Sequence, residues 1–156
     1  FIVRWPAQVE AGAVSDEVVS QVDLAATFAK LVGHALSEGE AIDSYNLLPV
    51  LKGENYKKPL RTATVQNTNA GKYALRQGDW VLVDAASGAS KKEGKHYLEY
   101  FGLSDFGKDR DGLLFNLKND PRQSRDLSGE YPVKVEQMRA LLKRYVGGER
   151  CAPLPH

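Results

Sequence analysis

Tyr73-Ala74-Leu75-Arg76-Gln77-Gly78-Asp79-Trp80-Val81-Leu82-Val83 sets two apolar, strand-forming runs on either side of Gln77-Gly78-Asp79. Glycine reaches positive φ without a steric penalty, so the central triplet predicts a tight turn and the whole stretch a β-hairpin. Two further runs flank it. Thr62-Ala63-Thr64-Val65 reads as a strand before the hairpin, and Leu113-Leu114-Phe115-Asn116-Leu117 as one after it, closed by Asn119-Asp120-Pro121. Pro132 then opens an amphipathic helix, at a position where proline's missing N–H costs nothing. Val135, Met138, Leu142 and Tyr145 form its apolar stripe, and Gly147-Gly148 ends it. The pattern predicts an α+β fold, a small antiparallel sheet of four strands with the C-terminal helix packed across one face.

The first fifty or so residues carry a different signal. Phe1-Ile2-Val3 is a short apolar run predicted as a strand, closed by Trp5-Pro6 because proline removes a ladder donor. A helix is expected over about residues 22–32, with Ser20 or Asp23 at its start, Leu24, Phe28 and Leu31 on one face, and Gly33 just past its end. Leu47-Leu48-Pro49-Val50-Leu51 predicts a short helical turn ending near Gly53. Together these read as a strand and a helix from the edge of a larger α/β layer. The expected division places residues 1–55 with that layer and 56–156 in a separate subdomain. An apolar run at the first residue, with no initiator methionine, suggests a piece of a longer chain. The stretch from about Asp84 to Asp111 is polar with aromatics at Tyr97, Tyr100 and Phe101, and is expected to be a long loop. The tail through Pro153 and Pro155 is expected to drape over the surface.

The 156 residues are 42% hydrophobic and 26% charged, with a formal net charge of +1. Phosphate binding needs a dense basic face, so this balance gives no reason to expect nucleic acid as a partner. No apolar run approaches the length of a membrane span. The single cysteine, Cys151, cannot form an internal disulfide, and no Cys/His cluster has zinc spacing. A Ser-His-Asp constellation is equally hard to assemble. His34 follows a helix end, His96 lies in the long loop, and His156 is the last residue. Asp43, Asp109 and Asp111 lack the spacing of a calcium loop, and no glycine-rich phosphate cradle is present. From the residues alone, no catalytic group and no metal ligand is expected.

Several segments resemble one family in order. Phe1 to Pro6 followed by Ala11-Gly12 is similar to the "PFIVRWPG-x-x-x-x-G" segment of arylsulfatase-type, formylglycine-dependent sulfatases. Ser20-Gln21-Val22-Asp23-Leu24 with Thr27 and Gly33 resembles the helix "S-x-VDL-x-PT-x-x-x-LAG". Leu47 to Gly53 resembles "SLLPLLKG", and Ala74 to Trp80 resembles the "A-[IL]-R-x-G-DWKL" hairpin. Leu114 to Leu117 with Asp120-Pro121 resembles "LYNL-x-x-DP-x-E-x-x-NL", and Tyr131-Pro132 opens the closing helix. Ala7, Ala26, Val81, Gln123 and Asp126 depart from the usual residues.

The resemblance implies the C-terminal portion of such an enzyme, a hydrolase of aryl sulfates or sulfated carbohydrates. It implies a formylglycine made from the cysteine of "C-x-P-x-R" and a calcium ion in the parent enzyme, both supplied before the segment at Phe1, and neither held by this segment. Cys151-Ala152-Pro153 begins like that motif, but Leu154-Pro155 follows without the arginine. The segment is therefore expected to contribute structure and a pocket rim. Gln66, Asn67 and Asn69 stand where many members carry a histidine, and with His96 they are the expected substrate-binding residues, as amides able to hydrogen-bond sugar or sulfate. A periplasmic or secreted location follows from the resemblance. Self-association is expected from the first helix, whose apolar face would lack its usual cover. A stand-alone carbohydrate-binding or interaction module, and a phosphate- or phosphonate-ester hydrolase of the same superfamily, are the alternatives.

Overall fold

The computed structural model describes residues 1–54, 59–68, 71–85, 100, 106, 112–148 and 150–152. The chain divides into two compact units, Phe1–Thr64 together with Gly148–His156, and Val65–Gly147.

The second unit is built on the hairpin. Strands β1 (Thr64–Asn67), β2 (Tyr73–Gln77), β3 (Trp80–Asp84) and β4 (Leu113–Asn116) lie side by side in that order. Gln77 pairs with Trp80 across a two-residue turn in which Gly78 takes φ of +58°, the conformation the glycine was expected to supply. β3 pairs antiparallel with both neighbours. The register puts Leu75 opposite Leu82 and Leu82 opposite Leu114, so three leucines form one row across the sheet, all fully buried. Helix α3 (Pro132–Val146) packs on β2 and β3 and buries Val135, Met138 and Leu142. Alternation along β3 shows which face it covers. Trp80, in phase with Leu82, meets Tyr131 edge-on at 5.2 Å, and Asp84, also in phase, accepts from Arg139 Nε at 3.2 Å. The opposite face buries Val81, Leu113 and Phe115 beneath Val83, Phe106 and Leu117.

β4 would be an open edge but is sealed. Leu114 N–H donates to Asp126 Oδ1 at 3.1 Å, and its carbonyl accepts from Leu127 N–H at 2.8 Å, so the passing chain fills the groups that another strand would take. The strand expected at 62–65 begins two residues later. Ala63 is withheld from the ladder because its carbonyl accepts from Arg61 Nη1 at 3.3 Å.

In the first unit a 3-10 turn (Gln21–Asp23) leads into α1 (Leu24–Leu31), and α2 (Leu48–Leu51) follows. α1 stops at a Schellman motif. His34 N–H donates to Ala29 O at 2.8 Å and Gly33 N–H to Lys30 O at 3.3 Å, with Gly33 left-handed at φ of +73°. The expected strand at Phe1–Val3 is not formed. A strand needs a neighbour for its N–H and C=O groups, and no described strand lies alongside; Phe1 and Ile2 are exposed, and a turn closes onto Trp5 O from Gln8 and Val9. Of the expected tail, Pro153 and Pro155 lie outside the described residues, and the two residues before them are held in place. Cys151 and Ala152 N–H both donate to Ile42 O, at 3.2 and 3.0 Å, Tyr45 Oη donates to Cys151 O, and Ala152 is buried.

Leu82 sits at the centre of the leucine row, so Leu82→Ala is expected to destabilise the second unit by about 2–5 kcal/mol. The outward-facing Val133→Ala is expected to stay within about 0.5 kcal/mol. Urea unfolding followed by Trp80 fluorescence in a Trp5→Phe background measures both.

Candidate functional site

The most elaborate side-chain assembly is a buried ion pair in the first unit. Asp23 closes the 3-10 turn and is completely buried, and Arg61 is 5% exposed. The turn itself requires the carboxylate, because Ser20 N–H donates to Asp23 Oδ2 at 2.7 Å, one half of a capping box. Oδ1 accepts from Tyr45 N–H at 3.0 Å and from Arg61 Nη2. Arg61 Nη2 also donates to Asp43 O at 2.6 Å. Its guanidinium carbon lies 4.4 Å from the centre of the Tyr45 ring. Arg61 Nε has no hydrogen-bond partner among the described residues, and the ring face supplies part of the compensation.

The surrounding hydroxyls extend this network. Thr27 Oγ1 donates to Asp23 O at 2.6 Å and accepts from Leu47 N–H at 2.9 Å; Ser44 Oγ accepts from Ala26 N–H at 2.7 Å. Leu47 and Ser44 thus tie α1 to the 43–47 segment, and the Thr27 hydroxyl ties α1 to the turn before it. The carboxylate and guanidinium are buried and bonded to each other and to the surrounding backbone, and the network is architectural.

A cleft of about 520 Å³ opens in the same unit, lined by Ala26, Ala29, Lys30, His34, Asn46 and Arg150 among others. Its polar groups are largely engaged in the fold. Asn46 Oδ1 accepts from Leu48 N–H at 3.0 Å, and Arg150 Nη2 donates to Glu38 O and to Glu40 O. His34 Nε2 lies 4.0 Å from Glu40. The Ser37 N–H, 2.7 Å from Glu40 Oε2, holds the Glu40 carboxyl below its ordinary pKa.

Two of the four sequence-predicted site residues, Gln66 and Asn67, are among the described residues. Gln66 and Asn67 are exposed at the end of β1, where Asn67 Nδ2 reaches only Thr68 O at 3.5 Å. Asn69 and His96, with Tyr97, lie outside the described residues. No group of three or more His, Cys, Asp or Glu able to hold a metal occurs among the described residues. Cys151 is partly buried, its backbone is tied to Ile42 and Tyr45, and the arginine of the formylglycine motif is missing after it. Sequence reading treated Asp23 as a cap and passed over Arg61. A carboxylate inside an otherwise apolar helical segment was the available signal, because it demands a buried cation.

With this architecture in view, comparison with known proteins places the chain among sulfatase-like structures. In sequence and in fold it is similar to sulfatases, and its four-stranded sheet with a closing helix is the arrangement of their C-terminal subdomain. The N-acetylgalactosamine-6-O-sulfatase of Bacteroides thetaiotaomicron is 29% identical over 143 residues, covering 92% of this chain and 26% of that protein. A solved sulfatase of the glycosaminoglycan metabolism of Bacteroides thetaiotaomicron is 30% identical, with a TM-score of 0.71 over 92% of this chain and 28% of its own. A structure solved with its substrate D-glucosamine-2-N,6-O-disulfate shares the fold, with a TM-score of 0.63 at 22% identity, over 96% of this chain and 29% of its own. No family model matches the chain. The chain spans about a quarter of the length of these relatives.

Arg61→Met removes the partner of a fully buried carboxylate and is expected to cost about 3–5 kcal/mol in urea unfolding. Arg61→Lys is expected to lose less, retaining the charge but not the forked contacts to Asp23 and Asp43. A loss below about 1 kcal/mol for Arg61→Met would contradict the architectural role.

Proposed function

We propose that this chain is the C-terminal portion of a sulfatase that hydrolyses sulfate esters, and that it contributes structure and a pocket rim while the rest of the enzyme supplies the chemistry. The observation that carries this reading is the agreement of sequence and fold with sulfatases over 92% of the chain. In this reading residues 1–55 are the edge of the catalytic α/β domain and 56–156 the C-terminal subdomain.

Sulfatases of this type generally use a formylglycine nucleophile and calcium, and both would be held by the remainder of the enzyme. The residues of this chain then act by shape and hydrogen bonding. Gln66 and Asn67 present neutral amides at an exposed strand end, and such groups fit the hydroxyl and sulfate oxygens of a substrate without moving a proton. Asn69 and His96 complete the proposed rim. A sulfated glycan is the favoured substrate class, supported by relatives that act on sulfated sugars; aryl sulfates are the runner-up. A periplasmic or secreted location accompanies the proposal. No described helix is long and apolar enough to cross a membrane.

The purified chain is expected to show no turnover of a chromogenic aryl sulfate or of N-acetylgalactosamine-6-O-sulfate, with or without added calcium. Turnover above a Cys151→Ala control would show that the segment carries its own nucleophile and would overturn the division of labour. Turnover of a phosphate or phosphonate ester instead would favour the related hydrolase class.

A further inference from the structure

A donor drawn away from bulk water without an acceptor costs free energy, and a cavity that gathers several such donors favours a ligand that brings lone pairs. The cleft of the first unit has this character, because its polar groups are engaged on one side only. Ser44 Oγ accepts from Ala26 N–H at 2.7 Å, and Asn46 Oδ1 from Leu48 N–H at 3.0 Å. The hydroxyl proton of the buried Ser44 and the amide protons of Asn46 Nδ2 have no acceptor among the described residues. Lys30 adds a full charge on the same wall, and its ammonium has no ion-pair partner among the described residues. Arg150 stands beside it, fixed by Glu38 O and Glu40 O. No lining residue is Asp or Glu; Glu40, the carboxylate near His34, lies outside the lining. The rest of the wall is largely apolar, with Ala26, Ala29, Ala41, Pro49 and Leu60.

We propose that this cleft binds a small organic anion, a sulfonate, sulfate or carboxylate head joined to an aryl or alkyl body. The head accepts from Lys30 Nζ, Asn46 Nδ2 and the Ser44 hydroxyl, and the body lies against the alanine, proline and leucine wall. A volume of about 520 Å³ is that of a small-molecule site, and an apolar lining with a few convergent polar groups is the usual make-up of one. Lys30 is the lining cation that brings no partner of its own, so a single negative charge matches the site. A sugar is a poorer fit. Each of its hydroxyls needs an acceptor as well as a donor, and the lining has no carboxylate to accept. The site stands apart from the sulfatase reading, since it uses none of Gln66, Asn67, Asn69 and His96, and its failure would leave that reading untouched.

The test is a titration of the full isotope-labelled chain, followed by its amide resonances in NMR. Naphthalene sulfonate and naphthoate are the probes, naphthol supplies the body without charge, and inorganic sulfate supplies the head without a body. Naphthalene sulfonate or naphthoate is expected to shift the amides of Ala26, Ala29 and Gly33 and the side-chain amide of Asn46 with a Kd of about 1 mM. The tighter of the two identifies the head group. Naphthol and inorganic sulfate are each expected to bind at least about tenfold more weakly. Lys30→Gln is expected to weaken the anion about threefold to fivefold, as suits an exposed charge, and Lys30→Arg to stay within about twofold. The exposed Lys143→Gln in the last turn of α3 is expected to change nothing. No saturable shift by about 10 mM of either anion would overturn the proposal. So would naphthol or inorganic sulfate binding as tightly as the anions, or N-acetylgalactosamine-6-O-sulfate binding more tightly than both. Shifts of the same amides on diluting the chain alone would assign the cleft to a second copy and overturn it as well.

Discussion

A carboxylate withdrawn from water must be matched group by group or the structure around it fails, and Asp23 imposes that demand on the whole first unit. Its oxygens need the Ser20 amide, the Tyr45 amide and the Arg61 guanidinium, so three segments far apart in sequence are fixed relative to one another. Arg61 carries the constraint onward to Asp43 and Ala63, and Thr27 carries it to Leu47. This unit has a small apolar interior, with Ala26, Ala29, Tyr45 and Leu47 as its buried hydrophobic residues near the network. Direction and register therefore come from charge and hydrogen bonding. The Coulomb attraction of such a pair is largely offset by desolvation. Its contribution is specificity more than surplus stability.

The second unit follows the opposite logic. Its order comes from a row of leucines facing Val135, Met138 and Leu142, with a second apolar cluster beneath. Polar contacts there finish edges and corners. Asp126 occupies the exposed side of β4, and the Arg125 amide holds the Asp120 carboxyl below its usual pKa in the turn after that strand. One unit is pinned by a buried charge and leaves Phe28, Leu31 and Val32 exposed; the other buries its leucine row beneath a helix. That contrast agrees with a chain similar to about a quarter of a larger enzyme.

Legibility in the sequence followed the range of the forces. Gly78 in a two-residue turn, Gly33 past a helix and Pro132 at a helix start act over four or five residues, and each was readable with its element. Phe1–Val3 was misread because an apolar β-forming run records only half of a strand, the other half being a neighbour that composition cannot supply. The start of β1 was missed by two residues for a similar reason, since Ala63 O is taken by a guanidinium rather than by the ladder. The pairing of Asp23 with Arg61 spans 38 positions, beyond any periodicity. Of the expected site residues, Gln66 and Asn67 are exposed at the end of β1, and Asn69 and His96 lie outside the described residues.

The chain crosses between its units twice, at Thr64–Val65 and at Gly147–Gly148, which makes the second an insertion within the first. The carbonyl of Ile42 and the hydroxyl of Tyr45 thus bond to Cys151 and Ala152 across the length of the insertion. On a ribosome, where domains tend to form as they emerge, the inserted sheet can close while its host is still waiting.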